Sequence, residues 1–312
     1  MYKEICEKTK TYDKIIILRH QNPDGDALGS QIGLKEAIIK TFPDKKVLIG
    51  GNDNQKYSFL GIMDKINDSD FQGALVIVLD TSTTDIIDDE RYKTGDFIIK
   101  IDHHKSGYPY GDINFVCDNV ISCALLIADL VFTNQWELTD LGAMALFTGI
   151  VTDSGRFRYA GVNAKTFAIC AKLLEYHFNI NDVYNYLYVE DIRLVKLRAQ
   201  MTLKFKQNGK LAYLKSTYQD VMESGFDVFT ISRGMVGVMG GISGIEIWVN
   251  FTENENGQVL AEIRSNNIDV SNVALQFGGG GHKLASGATL KNFQEAELML
   301  QTLQQLLENN NG

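Results

Sequence analysis

The feature that most constrains this chain is a series of short apolar runs separated by helical patterns. KIIIL at 14–18, VLI at 47–49, ALVIVL at 74–79 and FIIKI at 97–101 show no alternation of apolar and polar residues. A strand wet on one face alternates, whereas a continuous run suits a strand covered on both faces of a parallel sheet. Helical patterns lie between and beyond these runs: one from near Leu28 to just before Pro43, then 120–133, 139–151, 164–177 and 181–189. The alternation predicts an α/β fold with a doubly wound parallel sheet.

At 312 residues the chain exceeds what one core usually fills, so a second domain is expected. A charged helical stretch within 189–208 reads as a linker helix, dividing an N-terminal domain over 1–188 from a smaller one over 209–312. In the latter, KLAYLKS at 210–216, IEIWVNF at 245–251 and QVLAEIR at 258–264 read as strands, with NENG at 254–257 as a hairpin turn. A helix at 269–276, a glycine run at 278–281, a strand near 286–290 and an amphipathic helix at 293–307 complete an α+β domain. The glycine-rich stretch at 232–244 reads as a flexible connection, and 308–312 as a polar tail.

Composition narrows the function. Acidic residues outnumber basic ones 39 to 30, a net charge of −9, which argues against wrapping long duplex nucleic acid but leaves short nucleotides open. The longest apolar candidate, 124–132, is interrupted by Asp129 and falls short of a membrane span. The N-terminus lacks the apolar segment of a signal peptide, and Cys6, Cys117, Cys123 and Cys170 form no CxxC pair. A cytoplasmic protein with unpaired thiols is expected.

The acidic and histidine residues sit where the strands end. His20-Gln-Asn-Pro-Asp24-Gly-Asp26 follows the first run, Asp80 the third, and Asp102-His103-His104 the fourth; Asp153 closes a helical stretch. The carboxyl edge of a parallel sheet is where ligands bind, so residues distant in sequence converge there. Any one such Asp could be a helix cap, and the PDGD segment a plain turn with Gly25 supplying an unusual φ. Yet three of the chain's five histidines fall in these clusters. His20, Asp24, Asp26, Asp80, His103 and Asp153 are too many ligands for one tetrahedral ion and suit two ions sharing a carboxylate. Mixed imidazole and carboxylate favours Mn²⁺, with Co²⁺ or Fe²⁺ as substitutes and Mg²⁺ a poorer one. In the second domain FGGGGHKLASGA at 277–288, with Arg264 and Asn267 close in sequence, points to a phosphate-binding loop formed by Gly279, Gly280, Gly281 and His282.

HQNPDGDALGS, the lone Asp80, DHH, TDSGRF and GGGGH, in this order, make the chain resemble the DHH/DHHA1 phosphoesterase family, in particular its stand-alone bacterial nanoRNase/pAp-phosphatase type. The resemblance spans about 14–291; Ser154 stands where the family's fourth motif usually has Thr. It implies that His20, Asp24 and Asp80 hold one Mn²⁺ while Asp26, Asp80, His103 and Asp153 hold the other. It also implies that His104 contacts the scissile phosphate, that Asp102 orients it, and that Gly279 to His282 and Arg264 bind the nucleotide across a cleft between the domains.

The expected activity is hydrolysis of oligoribonucleotides a few residues long, of 3′-phosphoadenosine 5′-phosphate (pAp), or of both, by a water activated between two metals. Linear dinucleotides such as pApA or pGpG are the alternative substrates. A manganese pyrophosphatase would carry a basic SRKKQ-like signature that this chain lacks, and a long-strand exonuclease a further basic domain. A non-catalytic nucleotide-binding protein would be expected to lose ligands, and all six are present. No membrane partner is expected, and a homodimer is compatible with the sequence.

Overall fold

The computed structural model describes residues 1–310, which form two compact units, one over 1–189 and one over 190–310. Asn311 and Gly312, the end of the expected polar tail, lie outside the described residues. The first unit runs α1 (Tyr2–Thr11), β1 (Lys14–Leu18), α2 (Gly25–Thr41), β2 (Lys46–Ile49), α3 (Asp68–Phe71), β3 (Leu75–Leu79), β4 (Phe97–Asp102), β5 (Ile113–Val116), α4 (Cys123–Thr133), α5 (Asp140–Asp153), α6 (Ala164–Leu173) and α7 (Ile180–Tyr188).

Its five strands are all parallel in the order β2-β1-β3-β4-β5. The sheet grows one way from β1 to β2 and the other way from β3 onward, so β1 and β3 flank the point where strand order reverses, where a ligand crevice opens. Register aligns the carboxyl ends there: Leu18 pairs with Val78, and Leu79 with Ile101. The loops carrying His20, Asp80 and Asp102 therefore emerge side by side.

Both faces of the sheet are covered, as the continuous apolar runs require. Ile15, Ile17, Ile77 and Ile99 pack in one core with Leu28, Ala124 and Leu146 from α2, α4 and α5. Ile16, Leu18, Val76 and Val78 face a smaller core with Phe71 of α3 and Ile87. Among the described residues no helix is long and apolar enough to cross a membrane.

The second unit runs α8 (Ile192–Lys204), β6 (Lys206–Asn208), β7 (Leu211–Ser216), α9 (Tyr218–Ser224), β8 (Ile247–Glu253), β9 (Val259–Ser265), α10 (Ser271–Gln276), β10 (Gly280–His282), β11 (Ala285–Leu290) and α11 (Phe293–Asn310). Its mixed sheet has the order β10-β11-β9-β8-β7-β6, with β7 and β8 parallel. The helix expected as a linker is α8, and it buries Leu197 and Met201 in a core with Ala212, Leu214, Ile231, Met235 and Met239. That core also corrects the reading of 232–244 as a flexible connection. A π-helical turn, Thr230–Gly234, and a 3-10 turn, Val236–Met239, hold it on the sheet, and buried Asn250 donates to the carbonyls of Ile231 and Ser232. The glycines obscured the buried Ile231, Met235 and Met239 that tie the segment down.

Candidate active site

The loop after β1 is held from below by Arg19, which is fully buried. Its guanidinium pairs with Asp88 at 2.6 Å and donates to Gln31 Oε1 and to the Asn52 and His20 carbonyls. Gln21 N donates to the Ile86 carbonyl at 2.7 Å, so this loop is pinned on both sides. His20 Nδ1 donates to the Gln21 carbonyl, leaving Nε2 3.6 Å from Asp80 Oδ2. Arg19 carries no motif signature; only its position beside His20 could have drawn attention to it.

Asp24 is both cap and candidate ligand. One oxygen, Oδ1, accepts from the amides of Asp26 and Ala27 at the start of α2, which leaves Oδ2 for other work. Asp26 behaves similarly toward another helix: its two oxygens accept from Cys123 N (2.7 Å) and Ala124 N (2.8 Å), the first amides of α4. Gly25 does not supply an unusual φ, since it is helical; a Cβ there would lie 2.5 Å from Thr152 Oγ1. Close approach of α5, which delivers Asp153, explains the glycine.

All six expected ligands converge. Groups of ligand atoms within 4.8 Å of one another join His20, Asp24 and Asp80; Asp26, His103 and Asp153; and Asp80, His103 and His104. His103 Nε2 lies 3.4 Å from Asp80 Oδ1, 3.4 Å from Asp153 Oδ2 and 3.7 Å from Asp26 Oδ2, while its Nδ1 donates to the Val120 carbonyl. Each ligand imidazole thus has one nitrogen tied to a backbone carbonyl and the other turned to carboxylates, as metal-ligating histidines commonly do. Asp80 belongs to two groups, and its buried Oδ1 has no hydrogen-bond partner. A buried carboxylate oxygen without a donor is costly unless a cation meets it.

Protonation answers to the same crowding. Burial alone would lower the His103 pKa, but Asp80 3.4 Å away and the charge of Asp153 push it up to about 9. Burial raises Asp153 to about 6, and burial with the charges of Asp80 and Asp153 raises Asp26 well above the usual range. Burial would also raise Asp80, but His103 and His20 hold it far below. Four carboxylates and two imidazoles packed so closely suit hard or borderline divalent cations, and no thiolate is among them.

Beside them, Asp102 Oδ1 accepts from His104 Nδ1 at 2.8 Å and from the amides of His103 and His104. Lys100, itself buried, lies 3.3 Å from Asp102 Oδ2. The cavity here, about 270 Å³, is lined by His20, Asp24, Asp80, Ser82, Ile86, His103, His104 and Asp153. Its size suits a phosphate group and little more.

A cavity of about 1040 Å³ lies within the second unit, and Arg264, Gly279, Gly280, Gly281 and His282 all line it. Asn267 does not: β9 ends at Ser265, whose hydroxyl donates to the Ile268 carbonyl, and the turn carries Asn267 to an exposed position outside the lining. Arg233, Phe229 and Glu262, which sequence reasoning missed, do line it. The glycines divide in purpose. A Cβ on Gly279 would sit 2.1 Å from the Gly287 carbonyl oxygen and one on Gly281 2.6 Å from Ser286 Cα, so both serve close pairing with β11; a Cβ on Gly280 meets open space. Gly279→Ala is therefore expected to lower the unfolding midpoint by about 3 °C or more, and Gly280→Ala to leave it unchanged. Thermal melts of the two variants decide this; equal shifts would refute the division.

The DHH family's N-terminal domain matches residues 14–150, and the DHHA1 domain matches 226–309. The chain is 38% identical to a Streptococcus mutans protein named probable bifunctional oligoribonuclease and PAP phosphatase NrnA, over 98% of this chain and 99% of that one. It is 35% identical to the Bacillus subtilis bifunctional oligoribonuclease and PAP phosphatase NrnA, over 98% of each chain. Among solved structures it shares the fold of an exopolyphosphatase-related protein from Bacteroides fragilis, with a TM-score of 0.80 at 22% identity, covering 99% of this chain and 95% of the other. On the full-length identity and the two matched domains, the chain belongs to the DHH/DHHA1 phosphoesterase family.

Proposed function

We propose that this chain is a hydrolase that cleaves short oligoribonucleotides to mononucleotides and removes the 3′-phosphate of pAp, using two divalent cations, Mn²⁺ by preference. The observation that carries the reading is the convergence of three imidazole- and carboxylate-bearing groups on one small cavity, two of them sharing Asp80. The full-length relatives named for these two activities support the substrate class.

In this reading His20, Asp24 and Asp80 hold one cation, and Asp26, Asp80, His103 and Asp153 the other. When bound, the pair would supply Lewis acidity toward water and phosphoryl oxygens. The chain's own residues do the rest. Asp80 keeps its charge because His103 and His20 face it. Asp102 fixes the His104 ring through Nδ1, which leaves Nε2 to meet a phosphate oxygen. The His104 pKa is raised, chiefly by that bond to Asp102, which favours a protonated ring beside a developing negative charge.

The test is a panel: pAp, a 5′-phosphorylated diribonucleotide, pApA, pGpG and short DNA, each with Mn²⁺, Mg²⁺ or excess chelator. Mn²⁺-dependent release of AMP from pAp and of mononucleotides from the diribonucleotide is expected, with chelation abolishing both. Turnover that survives chelation, or hydrolysis of pApA and pGpG alone, would overturn the reading.

A further inference from the structure

We propose that Arg233, on the π-helical turn Thr230–Gly234, is a phosphate-binding residue that works with Arg264, and that Phe229 offers the nucleobase its stacking face. The proposal rests on the nucleotide reading above and adds to it a clamp made of two arginines on one carboxylate.

Glu262 is the hinge of the arrangement. One of its oxygens, Oε1, accepts from Arg233 Nε at 3.0 Å, and the other, Oε2, from Arg264 Nη2 at 3.2 Å. Two guanidinium groups separated in sequence are thus drawn to one spot of the cavity wall by a carboxylate that is itself largely covered. One negative charge between two positive ones leaves this spot of the wall locally positive, while Glu255 elsewhere on the lining balances the cavity as a whole. Arg264 also donates Nη1 to the Ile263 carbonyl at 2.8 Å, so its plane is fixed. Arg233 spends Nε on Glu262, which leaves its Nη groups to form the forked bonds that phosphate favours.

Two independent observations point to a ligand here. Ser232, next to Arg233, is 1% exposed and lines the cavity, yet its buried Oγ has no hydrogen-bond partner. Phe229 is 65% exposed on the same cavity, with the Arg233 guanidinium 5.4 Å from its ring centroid. An exposed aromatic ring beside an arginine plane is a surface on which a base of any identity can stack. A terminal phosphate monoester carries more charge than an internal diester, so the pair should favour a 5′-phosphorylated nucleotide over its 5′-hydroxyl counterpart.

The experiment uses the full chain without metal, so that the first unit's acidic cluster itself repels phosphate from its own site. AMP and adenosine are titrated by calorimetry. AMP is expected to bind more tightly than adenosine; Arg233→Ala should weaken AMP by about tenfold and leave adenosine unchanged. Arg233→Lys should recover only part of the loss, because an ammonium lacks the fork. Phe229→Ala should weaken both ligands alike. Arg233→Ala binding AMP as the parent does, or losing adenosine equally, would overturn the assignment. Because the readout is binding, a failure of the clamp is distinguishable from a failure of hydrolysis.

Discussion

Asp80→Asn is expected to fold, to lose the thermal shift that divalent cations give the native chain, and to cut turnover by about 10³-fold or more. Asparagine is the right replacement for a backbone reason. Asp80 has φ of 51°, in the left-handed region that Asn and Asp tolerate and most other side chains do not. The Asp80 amide donates to the Ile101 carbonyl at 3.0 Å, a bond the substitution leaves in place. What changes is the charge on a carboxylate shared by two of the three ligand groups. In the native chain, cation at about a hundred times its Kd would add about 2.7 kcal/mol of stability, enough to move the unfolding midpoint by about 5–10 °C. Differential scanning fluorimetry with and without Mn²⁺, alongside turnover of pAp, checks both parts. A variant that keeps both the shift and the turnover would remove Asp80 from the centre.

Gly29→Val is expected to cost about 3 kcal/mol or more, lowering the midpoint by roughly 6–12 °C. Gly29 lies where α2 crosses α5, and a Cβ there would stand 2.4 Å from the Ala145 carbonyl oxygen and 2.9 Å from Gly149 N. Glycine inside a helix is usually a cost of about 1 kcal/mol relative to alanine, so on propensity alone most substitutions other than proline, valine included, would help. The clash is with the backbone of another helix, which no rotamer change relieves, and it outweighs that gain. The effect should reach the chemistry, because α2 carries Asp26 and α5 ends at Asp153. Loss of the Mn²⁺ thermal shift together with the fall in midpoint is the expected pairing; an unchanged melt would show that the two helices can separate freely.

Much of this was legible in the sequence because the relevant signals are local and periodic. Strands β1 to β4 are mainly apolar, with Lys100 the one polar residue inside β4 before Asp102, and five of the six candidate ligands follow a strand directly or within a few residues. β5 was missed because only Ile113 of its four residues is buried, so the edge strand shows no apolar run. α1 was missed because its buried face is only Ile5, Cys6 and Thr9 in a charged segment. The clamp residues Arg233 and Glu262 lie 29 positions apart and meet through a turn whose glycines suggested mobility. Likewise, nothing periodic links Asp26 to the amides of Cys123 and Ala124, 97 and 98 positions away.

That last contact has a bearing on how lineages of this fold should be read. Asp24 and Asp26 each hold a helix start in place as well as standing among the candidate ligands. A descendant that abandoned its chemistry would still need both for its architecture, and selection would keep them. Asp80 and Asp153 do no comparable scaffolding through their side chains in this structure, so their charges are free to be lost once the reaction no longer matters, position 80 toward the Asn or Gly that its left-handed φ admits. In a survey of relatives, an intact Pro-Asp-Gly-Asp segment is weak testimony that the reaction has been retained, whereas erosion at positions 80 and 153 is the earlier sign that it has been lost.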